Sequence, residues 1–120
     1  MLFYLLSFVF FGCAQMDETS INGVSFVASP DSLQQIQIQP IKEIHANYAA
    51  IMPFGFIRTL DHPEIIFDTD RQWFGETSAG ASQYIELLHK DGIEVMMKPQ
   101  IWIWRGEFTG NLKMNSEEDW

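Results

Sequence analysis

Hydrophobic positions in this chain alternate between short continuous runs and stretches with helical spacing. Residues 23–28, 48–54 and 93 to about 102 are apolar runs, and proline, glycine or serine residues bound them. Such runs predict three strands. In the second run, Pro53 and Gly55 indicate where the strand ends.

The first predicted helix follows residues Ser29 to Asp31. Ser32 and Gln35 have the spacing of a capping box. Pro40 lies inside the pattern and has no backbone N–H, so we expect a kinked or two-piece helix. The apolar positions that roughly follow helical spacing are Leu33, Ile36, Ile41 and Ile44.

The second predicted helix has the clearest pattern in the chain. Ala81, Tyr84, Ile85 and Leu88 form one apolar face, and Gly92 indicates the end of the helix. A long irregular connection, residues 57–77, separates this helix from the second strand. The order strand, helix, strand, helix, strand predicts an α/β fold with a parallel sheet and right-handed crossovers.

Side-chain alternation along the third strand predicts one apolar face and one polar, aromatic face, because successive side chains point to opposite sides. Parallel sheets of this kind bind ligands at the carboxyl ends of their strands. The polar face is therefore suited to a binding site. The apolar face comprises Ile93, Val95, Met97, Pro99, Ile101 and Ile103, and the other comprises Glu94, Met96, Lys98, Gln100, Trp102 and Trp104.

The amino-terminal apolar run is too short to span a bilayer, which needs about 20 residues. Residues 1–12 have the length of a signal peptide, and residues 1–16 carry no charge. Gly12-Cys13 and the polar stretch after it resemble a bacterial lipoprotein signal, so Cys13 is the candidate lipidation site and residues 13–20 a polar tether. The alternative is that Cys13 is a buried core thiol. The lipoprotein-signal interpretation predicts an exported protein. It is either a cell-envelope lipoprotein, whose only membrane contact is the lipid anchor, or a periplasmic or extracellular protein.

Composition narrows the possible partners. The chain has 120 residues, 7 basic and 16 acidic side chains and a net charge of −9. That balance argues against nucleic acid. A single cysteine excludes an internal disulfide framework. We expect no cofactor and no metal, because a phosphate-binding glycine loop is missing and His45, His62 and His89 lack metal-ligand spacing.

The last six residues, 115–120, have a capping serine followed by an acidic first turn, which predicts the start of a further helix. A four-residue helix is not stable by itself. We therefore expect the chain to be the front part of a longer protein, cut at the start of its third helix. A disordered acidic tail is the alternative.

Three blocks of sequence, residues 48–56, 70–76 and 98–110, resemble the amino-terminal portion of bacterial TIM-barrel glycoside hydrolases related to family 113, a β-mannanase family. The resemblance covers residues 21–120. It implies the β-α-β-α-β portion of a (β/α)8 barrel, a fold that needs about 250 residues in full. It also implies a retaining mechanism with two glutamates, near the end of the fourth strand and on the seventh, which both lie beyond Trp120.

Candidate sugar contacts follow from the polar face of the third strand. Aromatic rings stack on pyranose rings, and neighbouring polar groups bind hydroxyls. The alternative is that the tryptophans pack under a loop. The candidate substrate-binding residues are Lys98, Gln100, Trp102, Trp104 and Arg105, with Trp73 and Arg71 from the preceding loop.

We assign no catalytic residue within the chain. Glu107 follows the third strand, and Asp68, Asp70 and Glu76 lie in the long loop. These acids are expected to be solvated or to cap turns. Asp68-Thr69-Asp70 imitates a metal-binding motif, but nothing else supports that interpretation.

The sequence thus leaves two hypotheses. The first is the amino-terminal fragment of a glycoside hydrolase that acts on a β-linked, mannan-like polysaccharide. Such a fragment is expected to be inactive alone, and its partner besides the glycan is the remainder of the barrel. The second is a small non-catalytic lipoprotein that binds carbohydrate or a partner protein.

Overall fold

A computed structural model describes residues 20–120. The predicted signal peptide and Cys13 lie outside the described residues. The strands are β1 (Gly23–Phe26), β2 (Tyr48–Ile51), β3 (Phe54–Ile57), β4 (Glu94–Met97) and β5 (Gln100–Ile103), and the helices are α1 (Gln39–Glu43) and α2 (Ser78–Lys90). Single 3-10 turns lie at Gln35–Gln37, Phe74–Glu76, Thr109–Asn111 and Glu117–Asp119.

The strands form two parallel sheets, which confirms the predicted parallel α/β arrangement. One sheet has the order β1-β2-β4 and the other contains β3 and β5. In the first sheet, Tyr48 of β2 lies opposite Gly23 of β1 and Glu94 of β4 in the strand register. In the second sheet Phe54 lies opposite Gln100.

Two of the three predicted strands are each divided by a proline. Met52-Pro53 separates β2 from β3, and Lys98-Pro99 separates β4 from β5. Proline has no N–H to donate to a ladder and restricts the residue before it. The neighbouring strands stay together across the break because Lys98 N–H donates to the Ile51 carbonyl and Gln100 N–H to the Pro53 carbonyl, each at 2.9 Å.

The hydrophobic core lies between the two helices and one face of the three-stranded sheet. Tyr84 and Leu88 from α2 contribute its largest side chains together with Ile38 and Ile51. Val24, Phe26 and Val95 add partly buried side chains from β1 and β4. The predicted apolar face of α2 is therefore confirmed at Ala81, Tyr84 and Leu88, while Ile85 is only partly buried.

The first predicted helix forms in two pieces, as expected, but in a different phase. The capping box joins Gln34 and Gln37 instead of Ser32 and Gln35, and Pro40 lies in the first turn of α1, where its missing N–H costs nothing. Because the short 3-10 turn resets the phase, Ile36 and Ile44 are 73% and 64% exposed, contrary to the predicted spacing.

The ends of α2 are closed by side-chain and glycine caps. At its start, Thr77 Oγ1 accepts a hydrogen bond from Gly80 N–H at 3.1 Å. At its end, Gly92 has φ of +72°, and Ile93 N–H donates to the Leu88 carbonyl at 3.0 Å. This is a Schellman ending, and it confirms the predicted stop at Gly92.

The loops after β1 and β3 meet at the side chain of Tyr84. Its hydroxyl accepts a hydrogen bond from Ser29 N–H at 3.1 Å, and the Ser29 carbonyl accepts one from Gly75 N–H at 2.9 Å. Glycine is required at position 75, because a Cβ there would lie 2.6 Å from the Tyr84 hydroxyl.

The apolar face predicted for residues 93–103 is correct at Ile93 and Ile103, which are buried, but wrong at Met97 and Ile101, which are exposed. Strand parity does not by itself decide burial here, because Ile101 and Ile103 share one side of β5 and only Ile103 is buried. At the predicted helix start the structure has one 3-10 turn, in which Ser116 Oγ donates to Asp119 Oδ2 at 2.9 Å.

Among the residues that the structure describes, no helix combines the length and the hydropathy needed to cross a membrane.

Candidate functional site

The carboxyl ends of β3 and β5 lie side by side. The two strands run parallel, and Trp104 N–H extends their pairing by donating to the Ile57 carbonyl at 2.9 Å. The segments that leave the strands, beginning with Arg58 and Trp104, therefore start from the same edge of the sheet. This is the edge at which parallel α/β sheets bind ligands.

Two tryptophans at this edge are each held by a phenylalanine of β3. Trp102 lies edge-on to Phe54, with ring centroids 5.2 Å apart and planes at 86°. Trp104 lies edge-on to Phe56 at 6.3 Å and 73°. Both arrangements are the favoured T-shaped geometry. Since Trp102 and Trp104 remain 53% and 49% exposed, neither ring is sealed under a loop.

A cleft of about 550 Å³, which we call the edge cleft, follows β5. Four consecutive residues of one strand line it, although a cleft on one sheet face would be lined by alternate residues. It therefore runs along the edge of β5 that has no strand partner among the described residues. Its lining residues are Gln100, Ile101, Trp102, Ile103, Gly106, Glu107, Phe108 and Thr109.

Two further clefts share Trp104 and Arg105, and we call them the arginine clefts. The first has a volume of about 450 Å³ and the second about 420 Å³. Both combine an aromatic ring with guanidinium groups at the carboxyl ends of β3 and β5. The first is lined by Phe56, Thr69, Arg71, Gln72, Ile103, Trp104 and Arg105, and the second by Arg58, Thr59, Trp104, Arg105 and Glu107.

Gln72 holds the loop that carries Arg71 against β3. Its amide nitrogen donates to the Phe54 carbonyl at 2.8 Å, and its amide oxygen accepts from Thr69 N–H at 2.9 Å. The same loop also forms an antiparallel bridge in which Phe56 and Ile66 exchange two hydrogen bonds of 2.7 Å. Arg71 is therefore placed by a loop with fixed backbone contacts.

The structure distributes the predicted sugar-contact residues over different surfaces. Gln100 and Trp102 line the edge cleft, whereas Trp104 and Arg105 line the arginine clefts. Lys98 is exposed at the break between β4 and β5, and Trp73 is 51% exposed in the long loop. Neither of these two is among the residues that line the edge cleft or the arginine clefts.

Sequence reasoning missed Arg58 and Phe108. Arg58 directly follows β3, but the second strand was expected to span residues 48–54, with Pro53 and Gly55 marking its end, so the continuation that brings Arg58 to the site was not recognised. Apolar residues on both sides of Pro53 were the available signal, because a proline can interrupt a strand without ending its path. Phe108 follows the Arg105–Gly106 turn and lines the edge cleft.

Two acids of the long loop have capping roles, as predicted. Asp68 Oδ1 accepts a hydrogen bond from Ser78 N–H, the first residue of α2, at 2.7 Å, and this backbone bond holds the pKa of Asp68 below its ordinary value. Glu76 Oε2 accepts from Trp73 N–H at 3.1 Å.

A third loop acid, Asp61, also has a lowered pKa, chiefly because the Thr59 hydroxyl donates to it at 2.7 Å. Within residues 20–120 no three His, Cys, Asp or Glu side chains are grouped so that they would hold a metal ion.

Comparison with known proteins supports the fold and little else. No protein-family model matches the chain, and no curated protein matches it. A solved structure of a GH113 β-1,4-mannanase is similar, with a TM-score of 0.52 and 15% sequence identity. The match covers 78% of this chain and 31% of the mannanase chain, so this chain spans about a third of that protein. At this identity the likeness shows an α/β arrangement consistent with a partial TIM-barrel-like fold.

Proposed function

We propose that this chain is the amino-terminal portion of a barrel glycoside hydrolase for a β-linked, mannan-like polysaccharide, and that it supplies one wall of the sugar site. The observation that carries the proposal is the position of Trp104. This half-exposed residue lines both arginine clefts and directly follows β5, at the carboxyl ends of two parallel strands. Glycans are recognised in such places by an aromatic platform with polar groups beside it.

The packing of Trp104 suits a stacking role. The T-shaped contact with Phe56 favours one orientation of the indole and leaves part of its surface open. A ring fixed before binding loses little conformational entropy when a sugar stacks on it. Arg71 and Arg105 line the same cleft and offer donors to sugar hydroxyls.

The carboxylates support a binding role for the chain instead of bond cleavage. Retaining hydrolysis needs two carboxyl groups about 5–5.5 Å apart. Across the edge cleft and the arginine clefts, Glu107 is the one acidic side chain among the described lining residues. A further cleft of about 240 Å³ is lined by Asp68 and Glu76, and both of these carboxylates accept hydrogen bonds from backbone N–H groups, of Ser78 and Trp73 respectively. The free edge of β5 is where a following strand of a barrel would pair, and we propose that strands beyond it bring the catalytic pair.

Binding is tested by titrating the 120-residue chain with β-1,4-mannohexaose in a calorimeter. Trp104→Ala should weaken binding about tenfold or more, the usual size of the loss for a central aromatic contact. Trp73→Ala is the matched control, because that ring has nearly the same exposure, 51%, but lies outside the clefts. Equal losses in the two variants would contradict the proposed site, and no binding of mannohexaose by the unchanged chain would contradict the assignment to a neutral mannan.

Activity is tested separately by measuring the release of reducing ends from β-mannan. We expect none from the 120-residue chain. Release that disappears in Glu107→Gln would show that the chain cleaves glycans by itself and would overturn the binding-only role.

The amino-terminal sequence supports a further part of the proposal, namely that the chain is exported and anchored through Cys13. Labelled palmitate should become attached to the chain when it is produced with its signal in a bacterial host. Cys13→Ser should abolish the labelling. An unlabelled wild-type chain would remove the anchor from the proposal.

A further inference from the structure

The chain places all of its arginines in one region. It has three, Arg58, Arg71 and Arg105, and a net charge of −9. All three line the arginine clefts, in which Trp104 and Arg105 are shared, Arg71 lines the first and Arg58 lines the second. Four lysines make up the rest of its seven basic residues, and none of them lines these clefts. In an acidic protein, such a grouping makes a local positive site.

None of these arginines is neutralised within the part of the chain that the structure describes. Ion pairs within 4.0 Å there join Lys42 to Asp91 and His62 to Glu64. Glu107 lines the second arginine cleft, and Asp70 is next to Arg71 in the sequence. Neither forms an ion pair with a described arginine. All three arginine side chains are exposed.

We infer that the arginine clefts bind an anionic sugar, a pyranose with a carboxylate or sulfate group, stacked on or next to Trp104. This inference rests on the proposed function and specifies its substrate class. A guanidinium group presents a planar fork of donors that matches a carboxylate or sulfate with two parallel hydrogen bonds. A neutral sugar does not need three guanidinium groups that lack an ion pair among the described residues.

A sugar fits this site better than a nucleic acid. The three arginines line two clefts that share one exposed indole, instead of forming a row along which a phosphate backbone could run. Two guanidinium groups beside one aromatic ring suit one stacked sugar that carries one anionic group.

The test compares three oligosaccharides with the same β-1,4-linked manno backbone. These are the neutral hexamer, the hexamer of β-1,4-mannuronic acid and a sulfated manno-hexamer. We expect at least one anionic hexamer to bind the full chain about tenfold or more tightly than the neutral one, with an advantage that falls as salt is added. The tighter of the two anionic hexamers identifies the carboxylate or the sulfate as the recognised group.

Matched charge variants locate the effect. Arg71→Gln and Arg105→Gln should each reduce the preference for the anionic hexamer about fivefold to tenfold. Lys90→Gln removes the same charge from the exposed end of α2 and should leave the preference unchanged. The arginine side chains make no hydrogen bond to the described residues, so their removal is not expected to unfold the protein. Arg105→Lys keeps the charge and should retain an intermediate preference.

The outcomes separate the two proposals. If the neutral and anionic hexamers bind equally, the anionic specificity is wrong while the sugar site stands. If Lys90→Gln reduces the preference as much as the arginine variants do, the effect is general charge and the inference is overturned. If none of the hexamers binds, the sugar site itself is wrong, and the inference fails with it.

Discussion

Replacing Tyr84 with phenylalanine removes one oxygen from the point where the loops after β1 and β3 meet. The side chain is 1% exposed, and its ring lies 5.6 Å from that of Phe26 in an edge-on contact. The hydrocarbon packing survives the change, whereas Ser29 N–H loses its acceptor at 3.1 Å. The effect therefore isolates one hydrogen bond.

The expected magnitude follows from the partly buried position of that bond. A buried donor left without a partner costs about 1–3 kcal/mol. Each ~1.4 kcal/mol is a factor of ten in an opening equilibrium, so exchange of the Ser29 amide hydrogen should accelerate by about 5-fold to 150-fold. Amide exchange followed by mass spectrometry or NMR measures this locally, because protection reports the opening of individual segments.

Tyr48→Phe is the matched control, since it makes the same chemical change on β2. Tyr48 is half-buried, and its hydroxyl has no hydrogen-bond partner among the described residues. Its effect on the Ser29 amide should be small. If both variants accelerate exchange at Ser29 equally, or if Tyr84→Phe leaves it unchanged, then Tyr84 does not fasten the two loops.

Three other predictions concern α2. Gly80→Ala should lower the thermal midpoint and reduce the free energy of unfolding by about 1–3 kcal/mol. Alanine favours helix, but its Cβ would clash with the Phe74 carbonyl oxygen. A Cβ at Gly92 would meet no atom within 4 Å, so Gly92→Ala should cost only about 1–2 kcal/mol for the φ of +72°, measured in the same melts. We therefore expect Gly80→Ala to destabilise the protein more, and a larger loss from Gly92→Ala would contradict this ranking. The pKa of Asp68 is lowered below 3.8 by its bond to Ser78, so its stabilising effect is complete above pH 3.8 and is lost as the pH falls through the lower folded-state value. Asp68→Asn should therefore flatten the dependence of the thermal midpoint on acid pH, and an unchanged profile would show that this carboxylate does not contribute.

Helix α2 illustrates how far local sequence reasoning extends. Its apolar spacing and Gly92 are local signals, and the structure places the helix at Ser78–Lys90 with three of the four predicted core residues buried. The first helix was harder, because a 3-10 turn at Gln35–Gln37 shifts the phase of the helix that follows. The tertiary structure decides which side chains of this helix pack against the sheet, and the spacing of residues along the chain does not.

The sequence predicted the kind of site, an aromatic and polar surface beside the third predicted strand, better than it predicted which residues line it. Trp102 and Trp104 were identified from strand parity, and both are half-exposed beside phenylalanines of β3. Arg58 was missed because its strand continues past Pro53. The division of the aromatic residues between the edge cleft and the arginine clefts depends on how β5 pairs with β3.

By itself the sequence determined the order of the strands and helices, the parallel arrangement and the acidic balance of the chain, because these follow from periodicity, short-range capping and composition. Only the tertiary structure decided that Arg58, Arg71 and Arg105, which are 13 and 34 positions apart in sequence, line adjoining clefts around one tryptophan. The physical reason is that parallel pairing brings together the ends of strands that are distant along the chain. No local pattern encodes which loops meet there.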